Sequence, residues 1–154
     1  MHACAFPDAP DAARAAGLMG MHDSAKARVV AFWNALPEDC RLRRATEADL
    51  FAFESQWTTI PPDVRWFLSE CGGGPAGSMW LDNIDELHKT HAKYRTECRP
   101  GGWTMQDVFI VGWDGGGNPY GVHLATGEVL VEDHDFGGVH VLASSFEEFL
   151  LERV

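Results

Sequence analysis

The sequence predicts a single α+β domain: helices first, then a bent antiparallel sheet of about four to six strands, with a C-terminal helix packed on it. Three observations carry this. Helical spacing of apolar residues recurs between Ser24 and Arg99. Between Asp107 and Asp135 lie three short runs rich in β-branched and aromatic residues, 108–111, 120–124 and 129–132. Gly, Asn, Pro and Asp clusters separate them, which is the grammar of a meander. Ser144 to Leu151 then returns to helical spacing.

Residues 1–23 are rich in Ala, Pro and Gly without periodicity, and are expected to form a flexible arm ahead of a domain spanning 24–154. Met19 or Met21 could serve as an alternative start. The first helix is expected from Ser24, a candidate cap, to Leu36, with Val29, Val30, Trp33 and Leu36 at helical spacing, and Pro37 stops it. The second runs from Thr46 to about Gln56: Thr46 and Asp49 form a capping box, and Leu50, Phe53 and Trp57 face inward. Pro61-Pro62 opens a short third helix in which Val64, Phe67 and Leu68 pack, and Gly72 ends it. Ser78 to Leu81 is a short strand candidate. Asp82 is expected to cap a fourth helix reaching about Arg99, with Ile84, Leu87, His88, His91 and Tyr94 along one side.

In 108–111 both alternating sets are apolar, so this strand is expected to be central and covered on both faces. Glycines between Trp113 and Pro119 permit a tight reversal, and Ala125 to Glu128 is a hairpin loop with Gly127 at a left-handed position. In 129–132, Val129 and Val131 face one way and Glu128 and Glu132 the other, which predicts one wet, negative face. His134 to Gly138 is a loop, and Val139 to Ala143 a further strand. In the last helix either Ser144 or Ser145 can cap, each with a glutamate three residues on, and Phe146, Phe149 and Leu150 form one stripe.

Composition narrows the function classes. A chain of 154 residues with 45% hydrophobic residues, including six Trp and nine Phe, can bury a core and is not a disordered chain. No apolar run approaches the length of a membrane span. Cys4, Cys40, Cys71 and Cys98 lack Cys-x-x-Cys spacing, and no secretory apolar region precedes them, so reduced thiols in a cytoplasm are expected. The net charge of −11 disfavours nucleic acid and anionic membranes and favours a basic partner. From Asp107 onward nine acidic residues stand against Arg153 alone, whereas the preceding part holds fourteen acids against eleven bases. The negative field therefore belongs to the sheet and last helix; a solvated surface that keeps the protein soluble is the plain alternative. Arg41, Arg43 and Arg44 are too few to suggest nucleic acid, and are expected to pair with the acidic face.

No catalytic arrangement stands out. The glycine run 72–77 follows a helix and lacks the Gly-Lys-Ser/Thr ending of a phosphate loop. His88 and His91, at i and i+3, could share a metal, but no acidic or cysteine ligand is fixed beside them, and half-burial beside an apolar stripe explains them as well. Asp133-His134-Asp135 could orient a base, though a polar turn between strands is the ordinary explanation. Glu132 and Asp133 are adjacent in a strand and point to opposite faces, so they cannot act as an acid/base pair. Neither a cofactor nor a metal is expected, and an enzyme is disfavoured.

Several segments resemble the SUKH superfamily. These are the Asp114-Gly-Gly-Gly-Asn118 turn, Tyr120, the Thr126-Gly-Glu-Val129 hairpin, the Asp133-His134-Asp135 segment and the final Ser-Ser-Phe-Glu-Glu-Phe-Leu helix. Upstream, Thr46 to Glu54, Ile60 to Leu68 and Cys71-Gly-Gly-Gly74 look like the family's early helix, its Leu-Pro segment and its Asn-Gly-Gly turn. Ile60 stands where the family often has Leu, and Cys71 where it often has Asn. The resemblance implies a SUKH-like binding protein, most often a bacterial immunity protein that neutralises a polymorphic or contact-dependent toxin, and many such toxins are nucleases. A basic nuclease cleft would be met by an acidic surface, for which Asp114, Glu132, Asp133 and Asp135 are the candidates, with Trp80, Trp113 and Tyr120 as aromatic anchors. For each aromatic, core packing is the competing role, most of all for Tyr120. Two other readings stay open: a regulatory interaction domain like the yeast cell-wall glucan regulator of the same superfamily, and a metal-dependent hydrolase using His88, His91 and Asp133-His134-Asp135.

Overall fold

The computed structural model describes residues 20–154. Residues 1–19, which hold most of the expected arm, lie outside them. The arm's last residues belong to the body. Met21 is buried and its N–H donates to Asp63 Oδ1 (2.9 Å), while His22 bonds the Glu147 carboxylate through its main chain and its ring. The domain therefore takes in Met21, ahead of the expected boundary at Ser24.

Among the described residues the α-helices are α1 (Asp23–Ala35), α2 (Glu47–Gln56), α3 (Pro62–Glu70), α4 (Ile84–Lys93) and α5 (Phe146–Leu151). The strands are β1 (Gly74–Ala76), β2 (Met79–Leu81), β3 (Val108–Trp113), β4 (Pro119–His123), β5 (Val129–Glu132) and β6 (Val139–Ala143). They form one sheet in sequence order, every neighbouring pair antiparallel. This is the α+β arrangement predicted. β1 has no counterpart among the expected strands, because Gly and Pro, which weaken strand propensity, supply most of it.

The helix signals are physical ones. Thr46 accepts the Asp49 N–H (3.2 Å) and Asp49 accepts the Thr46 N–H (2.8 Å), so the capping box of α2 closes. Gly72, at φ +88°, ends α3 with its N–H on Phe67 O, the left-handed position that favours glycine. The cap of α4 differs from the expected one. Asn83, not Asp82, accepts the Glu86 N–H (3.0 Å), and Glu86 reaches back to the Asn83 N–H. After Lys93 the helix continues as one π-type turn, Tyr94–Cys98. Ser145, rather than Ser144, caps α5.

The sheet is buried on both faces at its centre. On one face Trp33, Leu50, Phe53, Phe67 and Phe149 from the helices pack on Phe109, Val111, Tyr120 and Val131. On the other, Tyr94, Cys98 and Met105 cover Ile110, with Trp103, Val108, Trp113 and Leu130 around them. β3 is central and doubly covered, as its two apolar sets predict.

Asp82 lies inside rather than at a helix end. Its carboxylate accepts the Thr90 hydroxyl (2.6 Å), and Thr90 in turn accepts the Trp113 indole N–H (3.0 Å). Burial pushes the Asp82 carboxyl up to about 7, against 3.8 for a free aspartate. Through that window the folded chain holds a proton that the unfolded chain has released, so stability falls as pH rises. His91, donating from Nε2 to Ile110 O (2.9 Å), is held neutral by burial with its pKa lowered to about 4. It acts in the opposite sense, losing stability as pH falls below 6.5, and flattens the wild-type curve. Asp82→Asn keeps an acceptor for Thr90. Urea unfolding should find it on the order of 3 kcal/mol more stable than wild type at pH 8 and no more stable at pH 4.

Candidate partner-binding surface

Between Arg99 and Arg153 the sequence has no Lys or Arg, and this stretch supplies β3 to β6 and α5. Two of the upstream bases are held among the helices. Arg43 bridges Asp49 (2.6 Å) and Asp85 (2.8 Å), and Arg65 bridges Glu47 (2.7 Å) and Glu54 (3.1 Å). The expectation that the Arg41–Arg44 patch pairs with the acidic sheet is thus corrected: Arg43 pairs with α2 and the start of α4. Among the described residues, Asp107, Asp114, Glu128, Asp133 and Asp135 form no ion pair with Lys or Arg.

Antiparallel order brings the β3–β4 turn and the β5–β6 loop to the same end of the sheet, and side chains tie them together. Asp114 accepts the N–H groups of Gly116 (2.9 Å) and Asn118 (2.8 Å) and the Asn118 side-chain amide (2.9 Å). Asn118 Oδ1 accepts the His134 N–H (3.0 Å) and bonds its ring Nδ1. Asp133 accepts the N–H groups of Asp135 (2.8 Å) and Phe136 (2.9 Å), and these donors, Phe136 first, hold its carboxyl below the usual range. Asp135 is exposed, with His134 Nε2 3.3 Å away. Phe136 is 91% exposed at the loop tip.

Beside this loop is a hollow of about 700 Å³, lined by Trp103, Asp133, His134 and five glycines. The Trp103 and His134 rings meet edge to face at 5.9 Å. A Cβ added at Gly102, Gly117 or Gly137 would meet nothing within 4 Å, so the hollow is open. A more apolar cleft of about 330 Å³ lies between the α2–α3 connection and the β4–β5 hairpin, lined by Ile60, Pro61, Val64, Val122, Leu124 and Phe146. Its polar groups serve the fold: Asp63 holds Met21, and His123 Nδ1 accepts the Ala125 and Thr126 N–H groups.

The residues expected to meet a partner divide. Asp114, Asp133 and Asp135 come together at one end of the sheet. Glu132 does not join them on the surface: it is 6% exposed, and its carboxylate accepts the Thr104 N–H (2.8 Å), the Thr104 hydroxyl (2.6 Å) and the Met105 N–H (3.0 Å). The face expected to be wet at Glu132 is covered by segment 103–105. Tyr120 is fully buried, its hydroxyl on Trp80 O (2.6 Å) and its ring against Phe149, so it is a core residue and not an anchor. Trp80 and Trp113 pair across β2 and β3, with Trp80 bonded to Glu86 (3.1 Å) and 37% exposed, and Trp113 half-buried beneath Lys93. Phe136, Val139 and Val141 are exposed residues that sequence reasoning missed. An aromatic residue inside a glycine-rich polar loop was the available signal for Phe136. The two valines read as core until the strand order is known.

The two histidines of α4 are engaged in packing. His88 Nδ1 accepts the Trp57 indole N–H (3.1 Å), and both rings stand edge-on to Phe53. Among the described residues no group of three His, Cys, Asp or Glu side chains is placed to hold a metal ion, and no helix is long and apolar enough to cross a membrane.

No curated protein matches the chain. The family model described as SMI1 / KNR4 family (SUKH-1) matches residues 44–152, from just before α2 to the end of α5, which covers the whole sheet and both loops of the acidic end. The chain therefore belongs to the SMI1/KNR4 family, SUKH-1.

Proposed function

We propose that this protein is an immunity protein that binds and neutralises a cognate toxin domain, a nuclease with a basic cleft, through the acidic end of its sheet. The observation that carries the reading is the joining of Asp114, Asp133 and Asp135 at one end of the sheet, with exposed Phe136 on the same loop as the last two, in a stretch of a SUKH-1 domain, 100–152, that holds no Lys or Arg. An acidic patch with an exposed aromatic on the same loop has the chemistry to steer and then anchor a basic surface. Phe136 takes the anchoring role for which Tyr120 is unsuited, and Trp80 and Trp113, on β2 and β3, stay further aromatic candidates. Binding, rather than catalysis, is the activity this arrangement supports.

The test expresses the product of the neighbouring gene, as the proposed toxin, and measures whether this chain inhibits it. Wild type should abolish its nuclease activity. Asp135→Lys combined with Phe136→Ala should weaken inhibition by about 100-fold or more at low salt, because one change reverses the field and the other removes the anchor. Inhibition unchanged in the double variant would contradict the placement of the surface. Glu132 is left intact in this test because it supports the fold. The family's regulatory members make a non-toxin partner the second reading, favoured if the neighbouring domain proves harmless when expressed alone.

A further inference from the structure

We infer that β6 is a docking edge, and that an extended, basic segment of the partner adds to it as a seventh strand. The inference rests on the immunity reading for the partner's identity and supplies the means by which that partner is held.

The sheet has two edges, and they differ. β1 is three residues long, contains Pro75, and is flanked by chain: Leu42 N–H donates to the adjoining Gly73 O (3.4 Å), and a Cβ at Gly74 would lie 2.7 Å from Cys40 O. Edges blunted in this way do not pair with other chains. β6 is five residues long, Val139-His140-Val141-Leu142-Ala143, with no Pro, Lys or Arg. Val139 is 43% and Val141 58% exposed, and Phe136 stands at the strand's entrance.

The ladder fixes which main-chain groups are open. Asp133 N–H donates to Gly138 O (3.0 Å), and the register continues Glu132 with Val139, Val131 with His140 and Leu130 with Val141. Hydrogen-bonded pairs alternate in an antiparallel ladder, so His140 turns its N–H and C=O toward β5. Val139 and Val141 turn theirs to the open side. A strand arriving there finds two donors and two acceptors, flanked by apolar side chains, which is the recognition used in β-strand addition.

Charge selects the occupant. Asp133 and Asp135 border the edge, and the chain from 100 to 152 has no Lys or Arg. A second copy would bring acid against acid, whereas a segment carrying Lys or Arg would set its charges beside them.

The probe is a short peptide of alternating Thr and Lys, with a Thr/Glu peptide as control, titrated into the full chain at low salt. The Thr/Lys peptide should bind and shift the backbone amide resonances of Val139 and Val141, and the Thr/Glu peptide should not. Val141→Pro removes an N–H that β5 does not use, a position where edge proline is tolerated, and should weaken Thr/Lys binding by about tenfold or more. Binding by neither peptide, equal binding to Val141→Pro, or amide shifts confined to other strands would overturn strand addition. So would a wild-type dimer in sedimentation that Val141→Pro dissolves, since the occupant would then be a second copy. The assay contains no toxin, so its failure counts against the docking mode alone. Failure of the neighbouring domain to bind counts against the reading on which it rests.

Discussion

Replacing Gly121 by alanine is expected to cost at least about 3 kcal/mol, with a fall in Tm of about 10 °C. Gly121 sits in β4 opposite Ile110, beside the bulge in β3 between Ile110 and Gly112. There the strands approach so closely that a Cβ would lie 2.1 Å from Phe109 O and 2.6 Å from Phe109 C, both main-chain atoms that cannot swing away. Gly112 is caught in the same way, with a Cβ 2.0 Å from Trp80 O, the carbonyl that also accepts the buried Tyr120 hydroxyl. Relief requires parting β3 from β4 or β2, and these strands carry Phe109, Val111 and Tyr120 into the main core. Gly115→Ala is the control. Its nearest contact would be Ser78 O at 3.8 Å, an ordinary distance, and thermal unfolding should find it near wild type. Equal melting of Gly121→Ala and Gly115→Ala would show that the strand approach is looser than described.

Glu132→Ala is expected to destabilise the fold by about 3 kcal/mol, more than removal of any surface acid of the same chain. It would strip the acceptor from Thr104 N–H, Thr104 hydroxyl and Met105 N–H together, leaving the buried Met105 amide without a partner. Segment 103–105 closes the second core over Ile110, and Tyr94 holds it from the other side by donating to Met105 O (3.1 Å). Hydrogen exchange at Thr104 and Met105 should accelerate, and Glu132→Gln, which keeps a carbonyl acceptor, should lose less. Asp135→Ala should leave stability within about 0.5 kcal/mol. A Glu132→Ala protein with wild-type stability and weakened partner binding would return Glu132 to the surface role its alternation suggests.

These two residues mark where the sequence is legible and where it is not. Apolar alternation in 108–111 reports a strand covered on both faces, and β3 is one. Capping chemistry at Thr46 and Ser145 reports helix starts, because the signal and its consequence lie within four residues, whereas Ser24 lies inside α1, which starts at Asp23 behind His22 with no side-chain cap. Glu132 misleads because what covers it, Thr104 and Met105, is about thirty residues away in a segment with no periodicity. Asp82 misleads for a related reason: an aspartate before a helix reads as a cap, but Asn83 takes that place and frees Asp82 to meet Thr90. β1 is hidden by its own glycine and proline. The acidic end of the sheet was legible as a charge asymmetry along the chain. Its focus at Asp114, Asp133 and Asp135, and the exposure of Val139 and Val141, depend on strand order, which no local signal encodes.

The most direct measurement of the central claim is calorimetric titration of the full chain with the product of its neighbouring gene, the proposed toxin, at low and at moderate salt. Tight binding that weakens as salt rises is the expected result for carboxylates at the end of the sheet meeting a basic cleft. Absence of binding at both salts would contradict the immunity reading, and tight binding indifferent to salt would contradict its acidic surface.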